Sequence, residues 1–233
     1  MTETTHATRT TIGMVLFDGM TQLDLTGPYE VLARMPETRV VLVASRMSPV
    51  RTEWGLTIAP DATFDDAPAM DLVCVPGGWG VNALLEDAAL LDFLRERAAH
   101  ARFMTSVCSG SLLLGAAGLL HGYRATTHWM SIDLLRMFGA EPVAERVVRD
   151  RNRITGAGVT SGIDFALVVA AELFGETTAQ QIQLAIEYAP DPSFQSGSPH
   201  TSPDGIRRAV VAAGAASLAT RRAIIERITR EGF

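Results

Sequence analysis

Four short apolar runs, rich in β-branched residues, constrain the fold of this chain more than any other feature. They lie at Ile12–Phe17, Arg39–Ala44, Leu72–Val75 and Phe103–Val107, and a helix-like pattern is predicted after each of them. A strand that is apolar on both faces is typical of a parallel sheet covered by helices on each side. The sequence therefore predicts an α/β fold with a doubly wound, mostly parallel sheet between two layers of helices.

The rest of the pattern predicts the helices and one small insertion. The predicted helices are Leu25–Met35, Ala88–His100, Ser109–Leu119, Trp129–Phe138, Ser161–Phe174 and Thr177–Tyr188. The segment VRTEWGLTIA, with glycine in its middle, predicts a hairpin inserted in the sheet. We divide the chain into a flexible tail (1–11), an α/β domain (12–188), and a Pro- and Ser-rich linker with a C-terminal helix (189–233). That helix has apolar positions suited either to a lid on the domain or to a dimer contact.

Composition excludes several kinds of chemistry. All twenty basic residues are arginine, so Schiff-base chemistry, a pyridoxal phosphate anchor and a phosphate-loop lysine are excluded. The net charge of −6 provides no basic face for nucleic acid or anionic lipid. Two cysteines and five scattered histidines predict neither a disulfide framework nor a metal site. We also expect no membrane span, no signal peptide and a cytoplasmic location with reduced thiols.

The segment around Cys108 carries the clearest chemical signal. A predicted strand ends in Ser106-Val-Cys108-Ser-Gly110 and continues directly into an apolar helix. A nucleophile elbow needs small residues two positions before and two positions after the nucleophile, as Ser106 and Gly110 are. The helix N-terminus would favour a thiolate. The alternative is that Cys108 is a small buried hydrophobic residue. Cys74, in the middle of a strand, is interpreted as inert core.

Three other positions are candidates for the same site. After the third strand, the Gly77-Gly78-Trp79 turn lets backbone N–H groups approach a ligand, and the N–H groups of Gly78 and Ser109 could form an oxyanion pocket. Asp24, at the first strand-to-helix junction, is either a helix N-cap or a carboxylate near Cys108. His128 either lines a pocket or is a core histidine, and its apolar context favours the core.

Five motifs in order resemble the ThiJ/PfpI superfamily, the cysteine branch of the class I glutamine amidotransferase-like fold. They are QLDLTGP, PGGWG, TSVCSGSLLLGAAGLL, ATTHW and TSGIDFALVVAAELFG, within residues 12–194. The chain is most similar to the isocyanide (isonitrile) hydratases of that superfamily. The resemblance implies a flavodoxin-like sandwich, a homodimer, a nucleophile matching Cys108 and an acidic partner matching Asp24. It also implies that the Ser109 hydroxyl can bond to the acidic group, and that no cofactor is needed.

The reaction implied by this resemblance is hydration of an isocyanide to an N-substituted formamide. The Cys108 thiolate would attack the terminal carbon to form a thioimidate, water would release the product, and Asp24 would move the protons. Like-charge repulsion implies that the two groups share one proton, which lies on Asp24 when Cys108 is ionised. The remaining substrate-binding candidates are Ser109, Gly77, Gly78, Trp79 and His128.

Three other functions remain open from the sequence. A glyoxalase or deglycase would use the same cysteine on 2-oxoaldehydes, although its usual acidic partner is glutamate. A sensor module related to AraC-like regulators is disfavoured, because only one helix follows residue 203 and the chain is acidic. A redox-sensing cysteine is the third. The absence of a histidine directly after Cys108 argues against a PfpI-type peptidase.

Overall fold

The computed structural model describes residues 9–231, and a seven-stranded sheet lies at its centre. The strands are β1 (Thr10–Val15), β2 (Thr38–Ala44), β3 (Val50–Arg51), β4 (Thr57–Ile58), β5 (Ala62–Thr63), β6 (Leu72–Val75), β7 (Phe103–Val107), β8 (Arg124–Ala125), β9 (Glu141–Pro142), β10 (Val147–Asp150) and β11 (Arg153–Gly156). The α-helices are α1 (Gln22–Leu32), α2 (Val81–Leu84), α3 (Ala88–Ala98), α4 (Gly110–Ala116), α5 (Ser161–Phe174), α6 (Glu176–Ala185) and α7 (Asp204–Glu231). A 3₁₀ helix covers Trp129–Phe138.

The sheet is mostly parallel, as predicted. Its strand order is β5-β2-β1-β6-β7-β11-β10, and only the edge pair β10–β11 is antiparallel. From β1 the chain moves first to β2 on one side and later to β6 on the other. The strand order therefore reverses between β1 and β6, and open α/β sheets bind ligands at such a point, beyond the carboxyl ends of their strands.

Burial explains why the central strands are apolar throughout. Every residue of β6 and β7 is buried, because helices pack on both faces of the sheet. The α1 helix packs against α5, which packs in turn against α6, while α4 packs against α2, α3 and the 3₁₀ helix. This arrangement confirms the doubly wound fold class. The division of the chain at residues 12 and 188 stays a prediction.

Several boundaries differ from those predicted. The tail predicted at 1–11 lies outside the described residues up to position 8, whereas Thr10 and Thr11 belong to β1. The hairpin forms a separate sheet because β3 and β4 pair only with each other, and β2 leads into this hairpin and β5 instead of a helix. The segment predicted as a helix at 129–138 is a 3₁₀ helix ending at Gly139, whose φ of 72° stops it.

The two halves of α7 have different surroundings. From Gly214 onward it packs on α2 and the 3₁₀ helix, with Ile225 fully buried, so this part covers the domain. Its first half leaves Ile206, Val210 and Val211 between 41% and 51% exposed. Within residues 9–231, none of the helices combines the length and the apolar character that spanning a bilayer requires.

Candidate active site

Cys108 lies on a strained turn between β7 and α4. Its φ is 56°, in a region that residues with a side chain rarely adopt. The backbone is held in place by three hydrogen bonds: the Cys108 N–H donates to the Gly156 carbonyl (3.1 Å), and the hydroxyls of Thr127 (2.9 Å) and Ser111 (3.3 Å) donate to the Cys108 carbonyl. A Cβ on Gly110 would lie 2.1 Å from the Val75 carbonyl oxygen, so only glycine fits there. The turn has the geometry of a nucleophile elbow.

Asp24 is a fully buried carboxylate in the first turn of α1. Its Oδ2 accepts a hydrogen bond of 2.9 Å from the N–H of Gly77, which follows β6. The N-cap position of α1 is occupied by Thr21, so the N-cap interpretation of Asp24 is wrong. Because the helix begins at Gln22, three residues before the predicted start, Asp24 lies within its first turn, and its bond from Gly77 links this turn to the segment that follows β6.

The other carboxylate oxygen, Asp24 Oδ1, is not engaged by a backbone N–H group in residues 9–231. It is buried and has no conventional hydrogen-bond partner within the described residues, and the carboxylate interacts with the Cys108 thiol. Burial raises the pKa of Asp24 to about 7, against the opposing effects of the Gly77 N–H and the thiol. Asp24 therefore titrates near neutral pH, where a general base is most effective.

Burial also sets the protonation of Cys108. It raises the pKa of the thiol well above the ordinary 9.0, and the negative charge of Asp24 raises it further. The Ser109 N–H and the positive charge of Arg221 oppose this effect but do not overcome it. Burial therefore favours the protonated thiol, in opposition to the thiolate expected from the helix N-terminus. Cys74 is fully buried, and burial raises its pKa to about 12.

The glycine turn after β6 supports the site in a different way from the one expected. The Gly78 N–H donates to Ser109 Oγ (3.1 Å) and the Gly77 N–H to Asp24, so neither is free for an oxyanion pocket. The Ser109 hydroxyl contacts Gly78, and no hydrogen bond joins it to Asp24 among the bonds of the described residues. A Cβ on Gly77 would lie 2.5 Å from the Ser109 nitrogen, so glycine is required for this close approach.

A cavity of about 180 Å³ opens beside the sulfur of Cys108. Trp79 lies at its edge, largely exposed, with its ring edge-on to Trp54 at 5.2 Å between centroids. His128 is half-buried on the cavity wall, not in the core, and its Nδ1 accepts a 3.4 Å hydrogen bond from the Met130 N–H. Burial, and then the charge of Arg221, lower the pKa of His128, so the imidazole is neutral at neutral pH.

Sequence reasoning missed one wall of this cavity, which α7 supplies. Ser217, Leu218 and Arg221 line it, as do Glu53 from the hairpin and Met130 from the 3₁₀ helix. The sequence held one indication of this wall. Leu218, Arg221 and Ile225 follow helical spacing, so an arginine lies on an otherwise apolar helix face. No cluster of three or more His, Cys, Asp or Glu side chains in residues 9–231 is arranged to hold a metal ion.

The DJ-1/PfpI family model matches residues 10–172, about two thirds of the chain. The chain belongs to the DJ-1/PfpI family. This membership confirms the resemblance seen in the five motifs. Among family members, the isonitrile hydratase of Pseudomonas putida is 55% identical over 216 residues, covering 93% of this chain and 95% of that protein. The HTH-type transcriptional regulator GbdR of Pseudomonas aeruginosa (strain UCBPP-PA14) is 33% identical over 183 residues, but the match covers only 48% of the regulator.

Solved structures of the family have the same fold. A ThiJ/PfpI family protein from Pseudomonas syringae superposes with a TM-score of 0.91 at 45% identity, covering 96% of this chain and 91% of that one. Drosophila melanogaster DJ-1beta superposes with a TM-score of 0.70 at 24% identity, covering 78% of this chain and 99% of that one. The first match includes the region of α7, whereas the second shows the shared α/β fold alone.

Proposed function

We propose that this protein is an isocyanide hydratase that converts isocyanides into N-substituted formamides. The observation that carries the proposal is the buried Asp24 carboxylate, which interacts with the thiol of Cys108, a residue that lines the cavity. The 55% identity to an isonitrile hydratase over nearly the whole chain supports the same activity. Water is the second substrate, and the proposed chemistry uses no metal, nucleotide or flavin.

The first half of the reaction forms a thioimidate. The sulfur of Cys108 attacks the terminal carbon of R–N≡C while Asp24 Oδ1 takes the thiol proton. Asp24 then returns that proton to the same carbon, which gives R–N=CH–S–Cys108. Because burial holds the proton on sulfur at rest, the thiolate exists only when Asp24 accepts the proton. The two groups therefore act as one unit.

The second half adds water and releases the product. Asp24, ionised again, takes a proton from water as the water oxygen adds to the thioimidate carbon, and it passes that same proton to the nitrogen. The resulting R–NH–CH(OH)–S–Cys108 expels sulfur, the hydroxyl proton returns to it through Asp24, and R–NH–CHO leaves. The sum is R–N≡C plus H₂O giving R–NH–CHO, with both residues restored.

The lining of the cavity supports roles for the remaining candidates. We place the R group of the substrate against Trp79 and His128, with Ser109 beside the reacting sulfur. Gly78 also lines the cavity, and the N–H groups of Gly77 and Gly78 hold Asp24 and Ser109 in place. We also place the enzyme in the cytoplasm, where its two free cysteines stay reduced. The absence of nucleic-acid binding stays a prediction.

Turnover of a simple aliphatic isocyanide tests the proposed function. We expect the purified protein to produce the matching N-alkyl formamide, detected by proton NMR through its formyl signal, without any added cofactor. A sample containing methylglyoxal in place of the isocyanide serves as the comparison. Consumption of methylglyoxal together with no reaction of the isocyanide would overturn the proposal in favour of a glyoxalase.

We further propose that the protein is a homodimer in which the first half of α7 is buried. The support is the apolar surface of Ile206, Val210 and Val211, which the domain leaves exposed. We expect light scattering at micromolar concentration to give about twice the chain mass of 25.0 kDa. Val210→Glu introduces a charge into this surface and should shift the protein toward the monomer. A wild-type mass near that of one chain would contradict the dimer.

A further inference from the structure

Arg221 on α7 is a buried cation on the apolar face of its helix. It is 8% exposed, and Leu218 and Ile225 lie one turn before and one turn after it on the same face. A buried charge is unfavourable unless an opposite charge or a set of hydrogen bonds compensates for it. The partners of Arg221 therefore indicate what this cation is for.

All the hydrogen-bond partners recorded for Arg221 are uncharged. Its Nε donates to Asn82 Oδ1 (2.7 Å), Nη1 to Ser131 Oγ (2.9 Å) and Nη2 to the Gly78 carbonyl (3.3 Å). In the part of the chain that the structure describes, the recorded salt bridges include none to Arg221. These three bonds fix the guanidinium in place without neutralising it, so its charge acts on the cavity beside it.

The charge of Arg221 acts on the sulfur of Cys108. Both side chains line the same cavity, and the Gly78 residue that accepts from Arg221 also donates to Ser109, the neighbour of the cysteine. The positive charge lowers the pKa of Cys108, and Cys108 in turn acts on Arg221 to oppose the effect of its burial.

The other charged or titratable groups around Cys108 do not help to form an anion there. The Asp24 carboxylate opposes it from α1, and Glu53 faces the same cavity from the hairpin. His128 is uncharged, because burial and the charge of Arg221 lower its pKa. Among the cavity-lining residues between positions 9 and 231, Arg221 is the only permanently charged cation.

We propose that Arg221 is a positioning residue that the C-terminal helix supplies to the active site, where its charge stabilises the sulfur anion of Cys108. The anion forms when the thiol proton moves to Asp24, and again when the product leaves. The proposal rests on Cys108 being the nucleophile of the proposed function, but not on which substrate it attacks. It gives α7 a part in the reaction as well as in covering the domain.

The experiment measures how readily Cys108 ionises, with no isocyanide present. The thiolate is followed by its ultraviolet absorbance during a pH titration, with the Cys108→Ala protein subtracted as the blank. Iodoacetamide labelling followed by peptide mass spectrometry gives the matching reaction rate, with buried Cys74 as an internal thiol that should not react. The variants are Arg221→Gln, Arg221→Lys and, as the matched control, Arg222→Gln on the exposed neighbour.

We expect Arg221→Gln to raise the thiolate midpoint by about one pH unit, a roughly tenfold loss of thiolate below the midpoint. Labelling of Cys108 should slow by the same factor. Arg221→Lys keeps the charge and should restore most of the thiolate, while Arg222→Gln should match the wild type. If the glutamine variant does not fold, Arg221→Met tests the same point, since the methionine side chain is apolar and itself needs no hydrogen-bond partner when buried.

The outcomes separate this role from a purely structural one. A folded neutral variant with an unchanged thiolate midpoint would overturn the proposal, even if its labelling rate fell, because Arg221 would then only hold α7 in place. A protein with no hydratase activity but with the expected midpoints would reject the proposed substrate and leave the role of Arg221 standing.

Discussion

Replacing Cys108 with alanine should abolish isocyanide hydration. The variant lacks the sulfur that forms the thioimidate, and no other cysteine can substitute, because Cys74 is fully buried in the middle of β6. Removing the nucleophile of a covalent mechanism typically costs at least ~1,000-fold in turnover. The measurement is formamide production by NMR, alongside circular dichroism to show that the variant is folded.

The matched control is Cys74→Ala. This change removes one buried sulfur from the core at a cost of about 1 kcal/mol in the free energy of unfolding, and it touches no part of the cavity. We expect this variant to keep wild-type turnover with a slightly lower Tm. Substantial turnover by Cys108→Ala would show that the thioimidate is not on the path and that water is activated directly.

The elbow and the position of Asp24 near it were predictable because each follows from a simple rule. Ser106 and Gly110 flank Cys108 at the spacing that a sharp strand-to-helix turn needs, and Gly110 proves too close to the Val75 carbonyl for any side chain. Asp24 follows β1, and the carboxyl ends of neighbouring parallel strands meet at one edge of the sheet. Chain order and sheet type therefore allowed the pair, and the family resemblance then matched Asp24 to the acidic partner.

Other parts of the site depend on contacts between distant residues. Arg221 lines the cavity, and a hydrogen bond to Asn82, 139 positions earlier, helps to hold it there. The sequence of its helix was equally compatible with a lid and with a dimer contact. The sequence predicted that the N–H of Gly78 could bind a ligand, but in the structure it donates a hydrogen bond to the Ser109 hydroxyl. The sequence favoured a thiolate at Cys108 because of the helix N-terminus, whereas burial raises the pKa of the thiol, and burial cannot be read from residue spacing.

Replacing Asp24 with asparagine should lower turnover by at least ~100-fold, the usual contribution of general acid–base catalysis. The asparagine Oδ1 can still accept the hydrogen bond from Gly77, so the shape of the site is kept while its proton carrier is lost. In the wild type, kcat/KM should rise as the pH passes the Asp24 pKa of about 7, because the ionised carboxylate is the base. The variant should lack this rise.

The same variant should be more stable than the wild type at alkaline pH. Burial raises the pKa of Asp24 from 3.8 to about 7, so the folded protein binds more protons than the unfolded chain between these values. The contribution of Asp24 to the free energy of unfolding therefore falls as the pH rises through this window. Above the window the folded protein carries the full cost of burying the ionised carboxylate. Asparagine never ionises, so the variant should gain up to ~4 kcal/mol above that window, since each pKa unit is ~1.4 kcal/mol.

Lower activity combined with higher stability would identify Asp24 as a catalytic group held in an unfavourable environment for its chemistry. Thermal unfolding on both sides of the window provides the control, because the gain should vanish near pH 3.8, where folded Asp24 is already protonated. A carboxylate with only a structural role predicts a different pattern: near-wild-type turnover in Asp24→Asn, and no pH-dependent difference in Tm. That result would leave Cys108 without a proton partner and would contradict the mechanism.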